Sequence, residues 1–252
     1  MKKRLKILNI WVDPLSRKEA TQKVKEYLSS GTRPYAIFAS NPEKNFSVPK
    51  DGVLYDTFKN ADLLLPDGIG VVLAARILYG ANLERIPGSE FFFDICEIAA
   101  TERYGVFIYG ASEAVSISTV EKLKNIYPAL KIAGRSNGYV SSDDMPGLID
   151  RINASEAKIL FLALGSPKQE KWYAKHKDQL AHVRIVQGVG GTLDTIAGTV
   201  KRAPVFWRRL SLEWLYRLIK EPKRIKRQRI LPLFAALVFF TKVKSMLKVR
   251  NG

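Results

Sequence analysis

Four short polar clusters in this 252-residue chain stand where an apolar run stops, and each carries groups that could bind phosphate or move a proton. Ser40-Asn41-Pro42-Glu43 follows the run YAIFA. Asn-Pro is ordinary turn chemistry, so Asn41 reads either as a turn residue or as a polar contact. Leu65-Pro66-Asp67-Gly68-Ile69-Gly70 sets a carboxylate at a strand end, ahead of two glycines and a helix. Asp67 is there a helix N-cap or a general base, and the G-x-G is too short for a dinucleotide site. Gly165-Ser166-Pro167-Lys168-Gln169-Glu170-Lys171 follows the most hydrophobic run. Unpaired N–H groups at a helix start favour an anion, and Lys168 and Gln169 add donors. Gly188-Val189-Gly190-Gly191-Thr192, with Asp194 behind it, permits close backbone approach to a phosphate and offers an acid to a ribose hydroxyl. A tight strand-to-helix turn would account for Gly190 and Gly191 equally well, but not for four clusters at one structural position.

Other chemistries lack their residues. The chain has no G-x-x-x-x-G-K-[ST] loop and no D-x-D carboxylate pair. Charge developing on a diphosphate would therefore fall to Arg, Lys and backbone donors, and no metal or other cofactor is expected. His176 and His182 lie in a polar stretch that reads as solvent-facing, which argues against a histidine base or a zinc site. The single cysteine, Cys96, excludes an internal disulfide and reads, among Phe91, Phe92, Phe93, Ile95 and Ile98, as a buried thiol that suits a reducing cytosol.

The elements that would position these clusters alternate in kind. Residues 5–12 (LKILNIWV) read as one strand ended by Asp13-Pro14, and 16–29 as a helix with Ser16 as N-cap and Glu19 completing a capping box. Apolar runs at 35–39, 62–65, 105–109, 157–164 and 183–189 have the length of buried strands. Between them lie helical patterns, clearest at 113–127. Strand and helix in alternation, with nearly continuous apolar strands, predict an α/β fold built on a parallel sheet covered on both faces. Ligands in such folds gather at the carboxyl ends of the strands, where the four clusters stand.

Composition is ordinary for a globular protein, 46% hydrophobic and 26% charged, but the net charge of +17 is not. Residues 201–252 hold 15 Lys and Arg against Glu213 and Glu221, a net of +13, which leaves +4 for the first 200. The expected division is a catalytic domain over 1–200 and a basic, helical appendage over 201–252. In that tail Trp207, Leu210, Ser211, Trp214, Leu215 and Leu218 form one helical face. EPKRIKRQR (221–229) follows, then ILPLFAALVFF (230–240), which holds Pro232 and at 11 residues falls short of the roughly 20 that span a bilayer. Such a segment suits an anionic membrane interface. A nucleic-acid partner is the other use of so basic a tail, and the interleaved apolar run argues against it. The N-terminal Met-Lys-Lys-Arg-Leu-Lys resembles the start of a signal peptide, but Asn9, Asp13, Arg17, Lys18 and Glu19 break the apolar continuation, so none is expected. Whether the apolar helix face lies against the body, a partner subunit of a homo-oligomer or lipid stays open.

Taken together, N-P-E (41–43), A-D-L-L-L-P-D-G-I-G-V-V (61–72), R-I-P-G-S-E (85–90), G-S-P-K-Q-E-K-W (165–172), G-V-G-G-T-L-D (188–194), A-G-T-V-K-R-A-P (197–204) and L-E-W-L-Y-R-L-I-K-E-P-K-R (212–224) resemble the WecG/TagA/CpsF glycosyltransferases, in order and spacing, from about residue 8 to 229. The resemblance implies a Rossmann-like sheet and an inverting, metal-independent transferase. It would move a sugar, commonly N-acetylmannosamine, from UDP to a polyprenyl-diphosphate-linked acceptor at the cytoplasmic membrane face. By motif, Asp67 matches the catalytic base, and Asn41, Arg85 and Gln169 match residues lining the sugar and phosphate pocket. Tyr139 (in N-G-Y, 137–139), Gly190 and Asp194 match nucleoside and phosphate contacts. Arg217, Arg224 and Arg227 match tail arginines that the family brings to the active site. Ala39 departs from the Thr that many members carry, which leaves UDP-glucose or UDP-N-acetylmannosaminuronic acid open as donors.

Overall fold

The computed structural model describes residues 3–201, 203, 204, 206, 207, 210, 212–220 and 225–250, with the backbone alone for Arg217, Lys226, Arg227 and residues 248–250. Strands β3 (Tyr35–Ser40), β4 (Leu63–Pro66), β5 (Val106–Gly110), β6 (Ile132–Ser136), β7 (Ile159–Ala163) and β8 (Ile185–Gly188) form one sheet in the order β4-β3-β8-β7-β5-β6, parallel throughout. β5 and β7 are buried at every residue, as central strands of a sheet covered on both faces must be. Helices α3 (Gly52–Asn60), α4 (Ile69–Tyr79), α7 (Met145–Ala154) and α8 (Lys168–His176) cover one face, with Phe58, Val71, Ile152 and Trp172 among the buried contacts. On the other face lie α1 (Arg17–Ser30), α5 (Gly88–Thr101), α6 (Glu113–Ile126) and α9 (Thr192–Ala197), through Val24, Phe92, Leu123 and Leu193. A short α2 (Lys44–Ser47) follows β3.

The capping box at Ser16 and Glu19 is formed, and Cys96 is fully buried, which pushes its thiol pKa well up. The expected strand over 5–12 is instead a hairpin, β1 (Leu5–Ile7) and β2 (Ile10–Val12), which turns at Leu8 with φ of 55°. The hairpin closes the edge of the sheet. Asp13 N donates to Leu64 O, Asp13 Oδ2 accepts from Leu64 N, and Arg4 holds the same carboxylate with two bonds of 2.8 Å.

The tail also differs from its sequence reading. Helix α10 (Glu213–Lys220) begins only after a non-helical Leu212, so the apolar face foreseen from Trp207 onward is shorter, and Ser211 lies outside the described residues. Trp207 still meets Tyr216, with ring centroids 5.9 Å apart. After α11 (Ile225–Gln228), the run that Pro232 was expected to interrupt is part of one 21-residue helix, α12 (Ile230–Arg250). Pro232 falls in its first turn, where no intrahelical N–H is needed. Its window Ile230–Leu247 is long and apolar enough to cross a membrane by length and composition. Phe234 and Val238, however, are each 3% exposed and belong to the core beneath α4. The helix therefore rests on the body along one side and presents Leu233, Phe239, Phe240 and Met246 on others.

Candidate active site

The strands that precede the four clusters, β4, β3, β8 and β7, are consecutive in the sheet. At about 4.8 Å per strand their carboxyl ends fall within about 15 Å. Asp67 follows β4, Asn41 follows β3, Gly190 and Asp194 follow β8, and Gln169 follows β7.

The first two loops are locked together. Asp67 N donates to Ser40 O at 3.1 Å. A Cβ on Gly68 would lie 2.9 Å from Pro42 Cδ, and one on Gly70 2.8 Å from Pro42 Cγ, so the glycines of the Asp67 cluster are what let the Asn41-Pro42 loop seat against the start of α4. Asn41 Oδ1 accepts from Lys44 N at 3.2 Å, which is turn chemistry, while the turn itself stands beside Asp67. Gly68, not Asp67, is the N-cap of α4, so the capping reading of Asp67 gives way. Ile86 N donates to Pro66 O at 2.9 Å, which places half-buried Arg85 next to the end of β4.

The second pair of loops is joined through Gln169. Its side chain is 6% exposed, and its Oε1 accepts from Gly190 N at 3.0 Å. Gly190 adopts φ of 52°, the left-handed region that glycine enters without strain. Half-buried Asp194 stands in the first turn of α9, with its carboxylate oriented toward Gly191. Thr119 Oγ1 and Lys122 Nζ of α6 hold that helix by its Leu193 and Ala197 carbonyls.

Tyr139 follows β6 at the edge of the sheet and is 81% exposed, in a loop that leans back over β5 and β7, where Gly138 N donates to Ala111 O at 2.8 Å and a Cβ on Gly138 would lie 3.1 Å from Leu164 Cδ2. Its loop is ordered by Glu113 at the start of α6, which accepts from Arg135 and Asn137, while Asn137 Oδ1 accepts from Tyr139 N. The Arg135 guanidinium and the Asn137 amide, both donating to it, hold the Glu113 carboxyl below its usual range. Arg217 lies on α10 and Arg227 on α11, and Arg224 is outside the described residues. His176, expected to face solvent, is 6% exposed, with its ring 5.1 Å from Trp172 and its Nδ1 3.3 Å from Gln179 Oε1. It ends α8 on the side of the sheet away from these loops, so its role is packing. A recess of about 470 Å³ beside Arg33, Asp56, Tyr173 and Asp178 lies at that same opposite end.

Two residues beneath the site had no signal in the sequence. Lys44 and Glu170 form a buried ion pair between the loops after β3 and β7, with Nζ to Oε1 at 2.6 Å. Each reads alone as a charge beside a turn.

The profile of the glycosyl transferase WecG/TagA/CpsF family matches residues 5–248. The chain belongs to this family. Among its relatives is the N-acetylglucosaminyldiphosphoundecaprenol N-acetyl-beta-D-mannosaminyltransferase of Bacillus subtilis strain 168, 35% identical over 231 residues, 92% of this chain and 86% of the relative. The enzyme of the same name from Bacillus spizizenii strain W23 is 37% identical over 202 residues, 80% of this chain and 77% of the relative. As a WecG/TagA/CpsF glycosyltransferase, the chain sets Asn41, Asp67, Gln169 and Gly190 on adjacent strand ends and draws Lys44 and Glu170 in beneath them.

Proposed function

We propose that this chain moves N-acetylmannosamine from a UDP donor to a polyprenyl-diphosphate-linked N-acetylglucosamine, with inversion and without a metal, at the cytoplasmic face of the membrane. The observation that carries this reading is the gathering of Asn41, Asp67, Gln169 and Gly190 on four neighbouring strand ends, in a chain whose relatives bear that transferase name.

In a single displacement the acceptor hydroxyl oxygen bonds to the anomeric carbon as the bond from that carbon to the UDP phosphate oxygen breaks. The hydroxyl proton goes to a base, and a carboxylate at the strand mouth fits that task. Asp67 is the carboxylate so placed. UDP departs with added negative charge. Arg85, the Gly190 turn and the tail arginines Arg217, Arg224 and Arg227 are the groups assigned to that charge, guanidinium being suited to phosphate oxygens. Asp194 and Tyr139 are assigned to the nucleoside. The exposed Leu233, Phe239, Phe240 and Met246 of α12, flanked by Lys242 and Lys244, fit an anionic interface, where each nearby lysine adds about 1 kcal/mol. Ala39 supports a second donor reading. Its methyl is the apolar counterpart of the family's hydroxyl, so a different UDP-sugar, glucose or N-acetylmannosaminuronic acid, is the alternative.

Asp67→Asn tests the base. Turnover with UDP-N-acetylmannosamine should fall about 10²- to 10⁴-fold, with the donor KM little changed. Turnover equal to wild type would remove Asp67 from that role.

A further inference from the structure

We infer that Lys44 and Glu170 are positioning residues, a buried ion pair that fixes the loops after β3, β7 and β8 in mutual register and so shapes the donor pocket. The assignment of that pocket to a donor rests on the function proposed above.

The pair lies beneath the site rather than in it. Side-chain exposure is 8% for Lys44 and 1% for Glu170. Lys44 Nζ contacts Glu170 Oε1, also donates to Ser166 Oγ, and stands 5.0 Å from the centre of the Phe58 ring. From this centre, contacts run to three loops that carry candidate substrate contacts. Lys44 N donates to Asn41 Oδ1 at 3.2 Å. Gln169 Nε2 lies 3.5 Å from Glu170 Oε1, and Gln169 Oε1 accepts from Gly190 N at 3.0 Å. The result is one polar chain, Asn41–Lys44–Glu170–Gln169–Gly190, through three loops.

Stability alone is a poor reason for such a pair. Burying two charges costs several kcal/mol per ion before their attraction is counted, and apolar side chains of similar volume are often as stable or more so. Here the cost is not fully offset, because Glu170 Oε2 is buried without a hydrogen-bond partner among the described residues. A charge pair does what an apolar pair does not: it fixes direction and distance between two loops that β3 and β7, separated by β8, would otherwise present independently.

The test uses the full chain with Glu170→Gln and with the double variant Lys44→Met/Glu170→Leu, which removes both charges at once. Amide exchange of Gly190 and the kinetic constants are measured on each, and thermal unfolding checks folding. Both variants should exchange Gly190 at least tenfold faster while β5 and β7 keep their protection. Donor KM should rise at least tenfold with acceptor KM unchanged, and the double variant should melt near wild type. Unchanged exchange at Gly190 would overturn the proposal. So would faster exchange with an unchanged donor KM, a rise confined to the acceptor KM, or failure of the double variant to fold. If Gly190 exchange accelerates in a protein that turns over no UDP-sugar, the loop coupling stands and the donor assignment falls.

Discussion

At Gly188 a methyl group would stand 2.5 Å from Gln169 Nε2 and 2.9 Å from Phe38 Cδ1. The second contact is with a buried ring, so the side chain that yields is Gln169, and with it the bond to Gly190. Gly188→Ala should therefore raise the donor KM about tenfold or more while costing about 1–3 kcal/mol of stability, read by steady-state kinetics and denaturant unfolding. A wild-type KM would mean that Gln169 is not needed where it stands. Asp67, Asn41, Gln169 and Gly190 were legible because each follows an apolar run, and a parallel sheet puts all such positions at one end. Lys44 and Glu170 were not, because their contact spans 126 residues and is made by the strand order, which a local pattern does not carry. His176 misled for a related reason. Its neighbours in sequence are polar, but it packs against Trp172 through the helical repeat.

Elements were read well where burial is complete and poorly at the edges of the sheet. β6 escaped notice because every one of its residues is half-buried and its Gly134 leaves room for the Phe107 ring, so it lacks the apolar run of a central strand. The hairpin β1–β2 looked like one strand because Leu8 is apolar although it occupies a turn. The loop after β6 depends on Glu113, whose pKa in the fold is below its ordinary value near 4.3. Its contribution is thus complete above the ordinary value and lost as pH falls through the depressed one. The melting-temperature gap between wild type and Glu113→Gln should be present at pH 7 and close below about pH 4. A gap independent of pH would separate the Glu113 charge from Arg135. Phe234 tests α12 in the same way. Phe234→Ala removes a nearly fully buried ring against Gly70, and should cost about 3–5 kcal/mol in docking, seen as new proteolytic cleavage within the helix. Equal resistance to proteolysis would mean that α12 holds to α4 by other contacts.

In the whole molecule the two layers of helices flank the sheet, and α12 lies against α4. Phe234 meets Gly70 while Thr241 and Ser245 share a recess with Leu78 and Tyr79, so α12 runs beside α4 in the same direction. The basic stretch before α12, with Arg227 and Arg229, thus joins it at the N-terminal end of α4, where Asp67 precedes the Gly68 cap. Arg229 is in this way set ahead of α12 on the side of Asp67, and Lys242 and Lys244 lie on α12 among its exposed apolar residues. The deciding measurement is transfer by the full chain, in EDTA and on anionic vesicles, from UDP-N-acetylmannosamine to a polyprenyl-diphosphate N-acetylglucosamine, with the new linkage assigned by proton NMR. Transfer should proceed in the chelator and give the inverted, β-linked disaccharide lipid. No transfer, retention at the anomeric carbon, or product only after a divalent metal is restored would contradict a carboxylate-driven single displacement at Asp67.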